Sequence, residues 1–277
     1  MRSMLMYPQN LHTHTTFFDG IDDCESIVVQ ALKIGFTGIG FSEHSHMSYS
    51  KNNTAMTPEK DLLYQKEVAR LKEKYQDQIH VFCGLEFDQY SDHDLTGYDY
   101  VIGTNHCLKY GNEFLTFDRD KQTVKGIIDN YFDGDGLRFA KEYYAQLAQL
   151  PQYGNFDIVG HFDILTKHYE KYPFLDETDE RYQKYALDCF YALKEKISIF
   201  EINTGAMARG YRTTPYPHPV LLREMAKADV GFTLSSDCHN KELLAYRFPE
   251  MIELCKACWV KELQILTKLG FKGISLE

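Results

Sequence analysis

The sequence predicts an α/β fold in which seven parallel strands and their following helices form one closed barrel. Short apolar runs alternate along the chain with segments of helical periodicity. The runs at 79–85 and 98–103 are nearly continuously apolar, as expected of parallel strands that are covered on both faces. No repeat, low-complexity tract or flexible linker divides the 277 residues, a length close to the roughly 250 residues of a single barrel. We therefore predict one domain over residues 1–277.

The composition limits the classes of function. Hydrophobic residues make up 44% of the chain and aromatic residues 14%, which is enough for a large core. The formal net charge of −10 argues against nucleic acid as a partner, because binding to a phosphate backbone depends on clustered Lys and Arg. We find no signal peptide and no apolar run near the roughly 18–20 residues of a membrane span. We therefore predict a cytoplasmic protein with no membrane partner, whose seven scattered cysteines stay reduced.

The first part of the chain predicts two strand–helix units. Residues 9–14 and 37–42 are the predicted strands, and helix start and stop residues bound a first helix within 22–35. A second helix begins at Pro58, which occupies the favoured first position, and extends to about residue 75. The polar stretch 45–57 is a long loop after a strand, and such loops often cover a site.

The remaining chain continues the alternation, with one interruption. Strands are predicted at 79–85, 98–103, 156–160, 198–203 and 231–236. An insertion at about 108–153 contains a predicted turn at 109–113 and helices at 123–131 and 137–150. Further helices are predicted at 179–196, 217–228 and 250–269, and a loop at 204–212.

The first strand carries a candidate metal clip. His12 and His14 are two residues apart, so in a strand both imidazoles project from one face and reach a single ion. Asp19 follows on the loop, where its carboxylate can fold back toward a neighbouring ion. Taken alone, a His-x-His pair is also compatible with two ordinary strand histidines.

Metal-ligand residues recur at the ends of the later strands. The carboxyl ends of parallel barrel strands open on one face, and nine imidazoles and carboxylates map to that face: His12, His14, Asp19, His44, Glu86, His106, His161, Asp237 and His239. Nine groups exceed the coordination of one ion, and the mixed nitrogen and oxygen set suits zinc, manganese or iron. We therefore predict two or three ions, whose positive charge makes the site a receptor for an anion such as phosphate.

The motif set resembles the polymerase-and-histidinol-phosphatase (PHP) family of metal-dependent phosphoesterases. The matching stretches stand in family order: His12-x-His14, Asp19, Ser42-Glu43-His44, Gly84-Leu85-Glu86, His106, Gly160-His161 and Asp237-x-His239. The resemblance implies a distorted, TIM-like barrel of seven βα units and three divalent ions. It further implies that one ion is bound by His12, His14, Glu86 and Asp237, that Glu86 bridges to a second bound by His106 and His161, and that Asp19, His44 and His239 bind the third.

Within the family, the chain resembles the branch that hydrolyses L-histidinol phosphate to L-histidinol and phosphate in histidine biosynthesis. The supporting features are the insertion after His106, the run 160–163 followed by Lys167, and the run 201–204 followed by Arg209. A phosphotyrosine or nucleotide phosphatase of the same family would share every metal ligand. A non-catalytic metal-binding module is the other alternative, but its expected mark, a missing ligand, is not found.

The resemblance implies metal-assisted hydrolysis of a small-molecule phosphate monoester. We predict that Arg209 stabilises the phosphoryl oxygens, because a guanidinium can hold two oxygens at once; Lys167 and Arg212 are further candidates. Asp237 or His239 is expected to relay a proton to the leaving group. His46 and Glu201 are candidate substrate contacts, and Glu43 is a candidate partner of a ligand imidazole.

Overall fold

The computed structural model describes residues 7–47 and 56–276. Its strands are β1 (Gln9–Asn10), β2 (Gly38–His44), β3 (His80–Asp88), β4 (Tyr100–Thr104), β5 (Cys107–Tyr110), β6 (Glu113–Thr116), β7 (Ile158–Val159), β8 (Ile199–Asn203), β9 (Gly231–Ser235), β10 (Glu262–Thr267) and β11 (Gly270–Ser275). Its α-helices are α1 (Cys24–Lys33), α2 (Pro58–Lys74), α3 (Lys121–Tyr131), α4 (Gly136–Leu147), α5 (Glu180–Leu193), α6 (Gly205–Ala208), α7 (Pro219–Met225) and α8 (Phe248–Ala257).

Seven strands form one parallel sheet in the order β1-β2-β3-β4-β7-β8-β9. The sheet closes beyond its two edges, where Thr13 and Cys238 form a parallel bridge. There the amide of His14 donates to the carbonyl of Cys238 at 2.8 Å, and the amide of Cys238 donates to the carbonyl of His12 at 3.0 Å. The predicted barrel of seven parallel strands is therefore confirmed.

The barrel interior is filled around Tyr100. Its hydroxyl donates to the carbonyl of Leu11 and, at 3.0 Å, to that of Phe41, so one side chain links three strand segments. Glycine is required beneath the ring, because a Cβ at Gly84 would lie 2.2 Å from Tyr100 Cζ. A second, larger core packs the helices against the outer faces of the strands. Together these cores fix the strand ends that carry the candidate site.

Side-chain caps determine where most helices begin. Asp23 accepts from the amide of Ser26 at 2.8 Å, and Thr57 accepts from that of Lys60 at 3.3 Å. Such caps satisfy amides that have no partner within the helix. The predicted start of α2 at Pro58 is confirmed. The predicted loop 204–212 contains the short helix α6.

The first strand is shorter than predicted. Only Gln9 and Asn10 form β1, and the chain then changes partners. The amide of His12 donates to Asn10 Oδ1 at 3.0 Å, a local bond that ends regular pairing. The amide of Thr13 donates to Ser42 Oγ at 3.1 Å, so side chains support the segment that carries His12 and His14.

The insertion between β4 and β7 begins with a hairpin. Strands β5 and β6 pair on either side of the predicted turn, where Gly111 has φ 60°. The two predicted helices follow as α3 and α4. The assignment of residues 1–277 to a single domain stays a prediction.

The predicted C-terminal helix is wrong beyond residue 257. Helix α8 ends there, and β10 and β11 form an antiparallel hairpin instead. The hairpin docks on the barrel because the side-chain amide of Gln9 exchanges hydrogen bonds of 3.0 and 2.8 Å with the main chain of Leu266. Leu266 joins the barrel-interior cluster with Phe271 packed against it. Tertiary contacts therefore override a periodicity that is compatible with a helix.

Two predictions about the whole chain can be compared with this fold. All seven cysteines are buried, and no disulfide joins any two of them, which agrees with the prediction of reduced thiols. Within residues 7–47 and 56–276, none of the helices combines the length and the apolar character needed to cross a bilayer. The predicted loop 45–57 falls largely on residues 48–55, which lie outside the described residues.

Candidate active site

The nine predicted ligand residues meet at the carboxyl end of the barrel. Strands β2 and β3 carry His44 and Glu86 near their ends, and the other seven residues lie on segments that follow a strand. Ligand atoms of the described residues converge within 4.8 Å of one another in three groups: His14, Asp19, His44 and His239; His12, His14 and Asp237; and His12, Glu86 and His161. Eight of the nine residues therefore belong to a potential metal-binding group.

Glu86 lies at the centre, with its two oxygens facing different histidines. Oε1 is 2.8 Å from His161 Nε2 and 3.5 Å from His106 Nε2. Oε2 is 2.8 Å from His44 Nδ1 and 3.4 Å from His12 Nε2. This arrangement is the one expected of a carboxylate placed between two ion sites. His106, the ninth residue, belongs to none of the three groups but contacts the centre through this approach of its Nε2 to Glu86 Oε1.

The outer group is built around Asp19 at the mouth of the site. Asp19 Oδ2 lies 3.2 Å from His239 Nε2 and 3.6 Å from His44 Nε2, and Asp19 Oδ1 lies 3.7 Å from His14 Nδ1. The ring of His14 lies between its neighbours, with centroids 4.5 Å from His44 and 4.2 Å from His239. The side chain of Asp19 is 42% exposed whereas His14 is fully buried, so this group connects the buried centre with solvent.

The donor set fits divalent metal ions. His12 Nε2 and both ring nitrogens of His14 are buried without a hydrogen-bond partner. Buried polar atoms of this kind are uncommon, because each unsatisfied group costs about 1–3 kcal/mol. Metal coordination would satisfy these nitrogens, and imidazole with carboxylate is the ligand combination typical of zinc, manganese and iron sites.

The protonation states follow from burial and from neighbouring charges. Burial, with His239 and His44 nearby, lowers the pKa of His14 to about 3, so this imidazole is a neutral electron-pair donor. Burial opposes the ionisation of Glu86, but His44 and His12 hold the pKa of Glu86 well below its usual range. Burial of His12 acts against its charged form, yet Glu201 and Glu86 raise the pKa of His12 well above its usual range.

Glu201 lies behind the site and not in the substrate cavity, which corrects its predicted role. Its Oε1 is 2.6 Å from His12 Nδ1, and its Oε2 accepts from the amide of His161 at 2.7 Å. Ser235 Oγ and Asn203 Nδ2, the latter at 2.9 Å, complete its hydrogen bonds. Because Glu201 is only 1% exposed and both oxygens are in use, it orients His12 and is not available to a substrate.

Asp88 has an equivalent position behind His106 and was not predicted. Its Oδ2 lies 3.1 Å from His106 Nδ1 and accepts from the amide of His106 at 3.0 Å.

Glu43 does not contact a ligand imidazole; it accepts from the amide of Thr15 at 2.7 Å and from its hydroxyl, and so supports the loop after His14. In the sequence, the supporting roles of Asp88 and Glu43 are indicated only by the position of these acidic residues near strand ends.

Arg209 reaches the centre from α6. Its Nη2 donates to Asp237 Oδ2 at 2.8 Å, and its Nη1 donates to the carbonyl of Asp237 at 2.9 Å. Nη1 also lies 2.9 Å from His239 Nδ1. The side chain is 28% exposed and lines the same cavity as the ligands, a position that suits the predicted contact with phosphoryl oxygens.

A cavity of about 230 Å³ opens above the ligands. It is smaller than the roughly 300–1,000 Å³ of pockets for drug-sized ligands, so it suits a small molecule. Besides seven of the nine predicted ligand residues and Arg209, its lining includes Lys167, which was predicted, and Asp118, Ile164 and Tyr211, which were not. Asp118 was missed because its approach depends on the path of the insertion, which local sequence does not specify.

The other two predicted substrate contacts lie away from this cavity. Arg212 is 3% exposed and held by Glu177 at 2.8 Å and by the carbonyl of Thr166 at 3.1 Å. His46 Nδ1 lies 3.0 Å from Asp92 Oδ1. Neither side chain lines the cavity, so the structure assigns Arg212 to a buried ion pair and His46 to a surface pair.

A larger groove of about 620 Å³ lies at the opposite end of the barrel, between α2, the start of β3 and the C-terminal hairpin. None of the nine ligand residues lines it. Catalytic residues of parallel barrels collect at the carboxyl ends of the strands, whereas the amino end serves stability. The smaller cavity is therefore the candidate active site.

Comparison with known protein families agrees with the family resemblance of the sequence motifs. The family model described as PHP domain matches residues 10–205, which carry seven of the nine ligand residues. The chain belongs to the PHP domain family. This PHP chain is 25% identical over 273 residues to the histidinol-phosphatase of Bacillus subtilis, a match that covers 90% of this chain and 100% of that protein.

Solved structures resemble the PHP fold described above. The histidinol phosphate phosphatase of Lactococcus lactis, solved in complex with zinc, L-histidinol and phosphate, aligns with a TM-score of 0.72 and 19% identity, over 96% of this chain and 98% of that one. A structure from Listeria monocytogenes aligns with a TM-score of 0.72 and 21% identity, over 84% of this chain and 96% of that one. These alignments support the barrel fold.

Proposed function

We propose that this PHP protein is a metal-dependent phosphatase that hydrolyses L-histidinol phosphate to L-histidinol and phosphate. The observation that carries the proposal is the convergence of imidazoles and carboxylates around Glu86, under a small cavity lined by Arg209 and Lys167. The full-length similarity to a histidinol-phosphatase supports the choice of substrate. The partner is thus a small phosphate monoester and not nucleic acid, and a cytoplasmic location follows from a biosynthetic role.

We assign three divalent ions to the site, as zinc, manganese or iron. His12, His14, Glu86 and Asp237 would hold the first, Glu86, His106 and His161 the second, and Asp19, His44 and His239 the third. The two faces of Glu86 support its bridging role. The position of His14 against His44 and His239 supports the assignment of the first and third sites as neighbours.

When bound, the ions supply Lewis acidity that activates water and offsets phosphoryl charge. The chain contributes orientation: Arg209 and Lys167 approach the cavity as cations that hold the phosphate. In the reaction the oxygen of water bonds to phosphorus, the bond from phosphorus to the L-histidinol oxygen breaks, and that oxygen receives a proton. Asp237 and His239, both in contact with Arg209, are the candidates for relaying this proton.

A substrate panel tests the proposal. For the purified protein we expect kcat/KM on L-histidinol phosphate at least about tenfold, or roughly 1.4 kcal/mol of transition-state binding, above that on p-nitrophenyl phosphate or phosphotyrosine. Equal or higher activity on phosphotyrosine or on nucleotides would assign the protein to another phosphatase of the family. Bound metal with no hydrolysis of any monoester would favour a non-catalytic module.

A further inference from the structure

The lining of the cavity includes a pair of opposite charges outside the nine predicted ligand residues. Lys167 Nζ lies 3.3 Å from Asp118 Oδ2, and the two side chains are 15% and 21% exposed. Asp118 follows β6 in the insertion, whereas Lys167 follows the short turn after His161. Two distant segments therefore place one cation and one anion at the same cavity.

Asp118 differs from the other carboxylates of the cavity. Asp19, Glu86 and Asp237 all belong to the groups that converge within 4.8 Å, and among the described residues Asp118 belongs to none of these groups. Burial opposes its ionisation, but Lys167 and His106 lower the pKa of Asp118, so it is negatively charged at neutral pH. Asp118 thus places a negative charge, outside the three converging groups, at the cavity proposed for phosphate.

The position of Asp118 is fixed by its surroundings. Phe117 is 1% exposed and packs edge-on against Phe139 and Tyr143, with centroids 5.7 and 5.5 Å away. The carbonyl of Asp118 lies 3.1 Å from His168 Nε2. The backbone at Asp118 is therefore anchored by Phe117 and His168, and the carboxylate is paired with Lys167 at the cavity.

A negative charge in this place has a consequence for the choice of ligand. A phosphate ester with no positive group would engage Arg209 and Lys167 but would leave Asp118 close to its own negative charge. A phosphate ester with a cationic group can exchange partners: the phosphate takes Lys167 while the cation takes Asp118. Neither half-buried charge is then left unpaired, and a charge that is largely shielded from water is unfavourable without a partner.

We propose that Asp118 is a specificity residue that binds the cationic group of the substrate, so that the site selects phosphate monoesters carrying an ammonium or imidazolium group. The inference rests on the proposed phosphatase activity and adds the residue that recognises the rest of the substrate. Lys167 is suited to the exchange, because its Nζ also lies 5.1 Å from the centroid of the Tyr211 ring, a contact that does not depend on Asp118.

The test compares two substrates of nearly equal shape, O-phosphoethanolamine, which carries an ammonium, and propyl phosphate, which carries a methyl group in its place. We expect wild type to prefer the cationic ester, and Asp118→Asn to reduce the ratio of the two kcat/KM values by about tenfold or more, since a hydrogen bond to a charged group is being weakened. L-Histidinol phosphate measured beside them should follow O-phosphoethanolamine.

Asp120→Asn is the matched control. It removes the same charge two residues away, where Asp120 caps α3 by accepting from the amide of Thr123 at 2.8 Å, and asparagine is an equally good cap. We expect this variant to keep the wild-type ratio. Asp118→Ser, checked for folding by thermal unfolding, repeats the test with a different side chain.

The outcomes distinguish the specificity role of Asp118 from the proposed hydrolysis of L-histidinol phosphate. An unchanged ratio in both Asp118 variants, or an equal loss on both esters, would overturn the specificity role. If wild type hydrolyses O-phosphoethanolamine in preference to propyl phosphate but does not hydrolyse L-histidinol phosphate, the proposed substrate fails while the role of Asp118 stands. If L-histidinol phosphate is hydrolysed and the ratio does not respond to Asp118, the reverse holds.

Discussion

Glu86 Oε1 lies 2.8 Å from His161 Nε2, while the other oxygen of the same carboxylate faces His44 and His12. A carboxylate between two sets of imidazoles has a different role from a ligand at the edge of the site. Its loss removes an oxygen from both sets at once and leaves their imidazoles close together without a negative charge between them. The nine residues of the site are therefore not equivalent, and their substitution should have graded effects.

We expect Glu86→Ala to lower both metal content and activity by more than His44→Ala, because in the proposed arrangement Glu86 serves two ion sites. Elemental analysis and steady-state kinetics on the two variants measure the difference. Both should remain folded, since the barrel has its own core. Full metal content and full activity in Glu86→Ala would contradict a bridging role.

The contact between Glu201 and His12 predicts an effect on metal affinity. Because its carboxylate is 2.6 Å from His12 Nδ1, it holds that ring with Nε2 directed toward the metal site. Glu201→Gln keeps the shape but removes the charge, and we expect metal affinity to fall by about 10–100-fold, as is typical when the outer partner of a ligand histidine is lost. Competition with a chromophoric chelator measures the affinity independently of turnover. Glu195→Gln, a change at an exposed glutamate, serves as the control.

Metal binding should depend on pH in a defined direction. A histidine binds metal only after it loses its proton. Burial acts against the charged forms of His12 and His44, but the surrounding carboxylates raise their pKa values above the usual range. The affinity of metal-stripped protein should therefore rise with pH and keep rising above about pH 6.5, the ordinary histidine value. Calorimetric titrations in buffers of different ionisation enthalpy count the released protons. Affinity and proton release that stay constant above this pH would contradict the prediction.

The C-terminal hairpin gives a prediction about stability alone. Leu266 is 6% exposed and packs in the barrel interior at the end remote from the metal ligands. We expect Leu266→Ala to lower the free energy of unfolding by about 2–5 kcal/mol, the usual range for a buried leucine. Urea denaturation measures this loss. Leu269→Ala, at a side chain that is 99% exposed, should have almost no effect.

The sequence was most informative where chemistry and topology coincide. The convergence of the nine predicted ligand residues could be predicted because each lies at or just after a strand end, and the carboxyl ends of parallel strands meet. The contacts of Glu201 with His12 and of Asp88 with His106 were not predicted. Which histidine an acidic side chain meets behind the site depends on how the strands are arranged around the barrel. The C-terminal hairpin was missed because the contact of Gln9 with Leu266 joins the two ends of the chain.

Arg209 is the predicted substrate contact with the most specific geometry. Its Nη2 donates to Asp237 Oδ2 at 2.8 Å, whereas Oδ1 of the same carboxylate faces His14 Nε2 at 3.3 Å. The guanidinium and the metal ligands therefore use different oxygens of Asp237. Removal of the guanidinium should affect the phosphate more than the metal.

We expect Arg209→Ala to lower kcat/KM by roughly 10²–10³, about 3–4 kcal/mol, the range seen when a preorganised stabilising donor is deleted. Arg209→Lys should recover only part of this, because an ammonium keeps the charge but loses the planar two-pronged geometry. Steady-state kinetics with elemental analysis measures both variants, and Arg223→Ala, at an arginine that stacks on Trp259, is the control. A loss below about threefold with unchanged metal content would place the phosphate contact on Lys167 instead, since an interaction made in the transition state has to appear in kcat/KM.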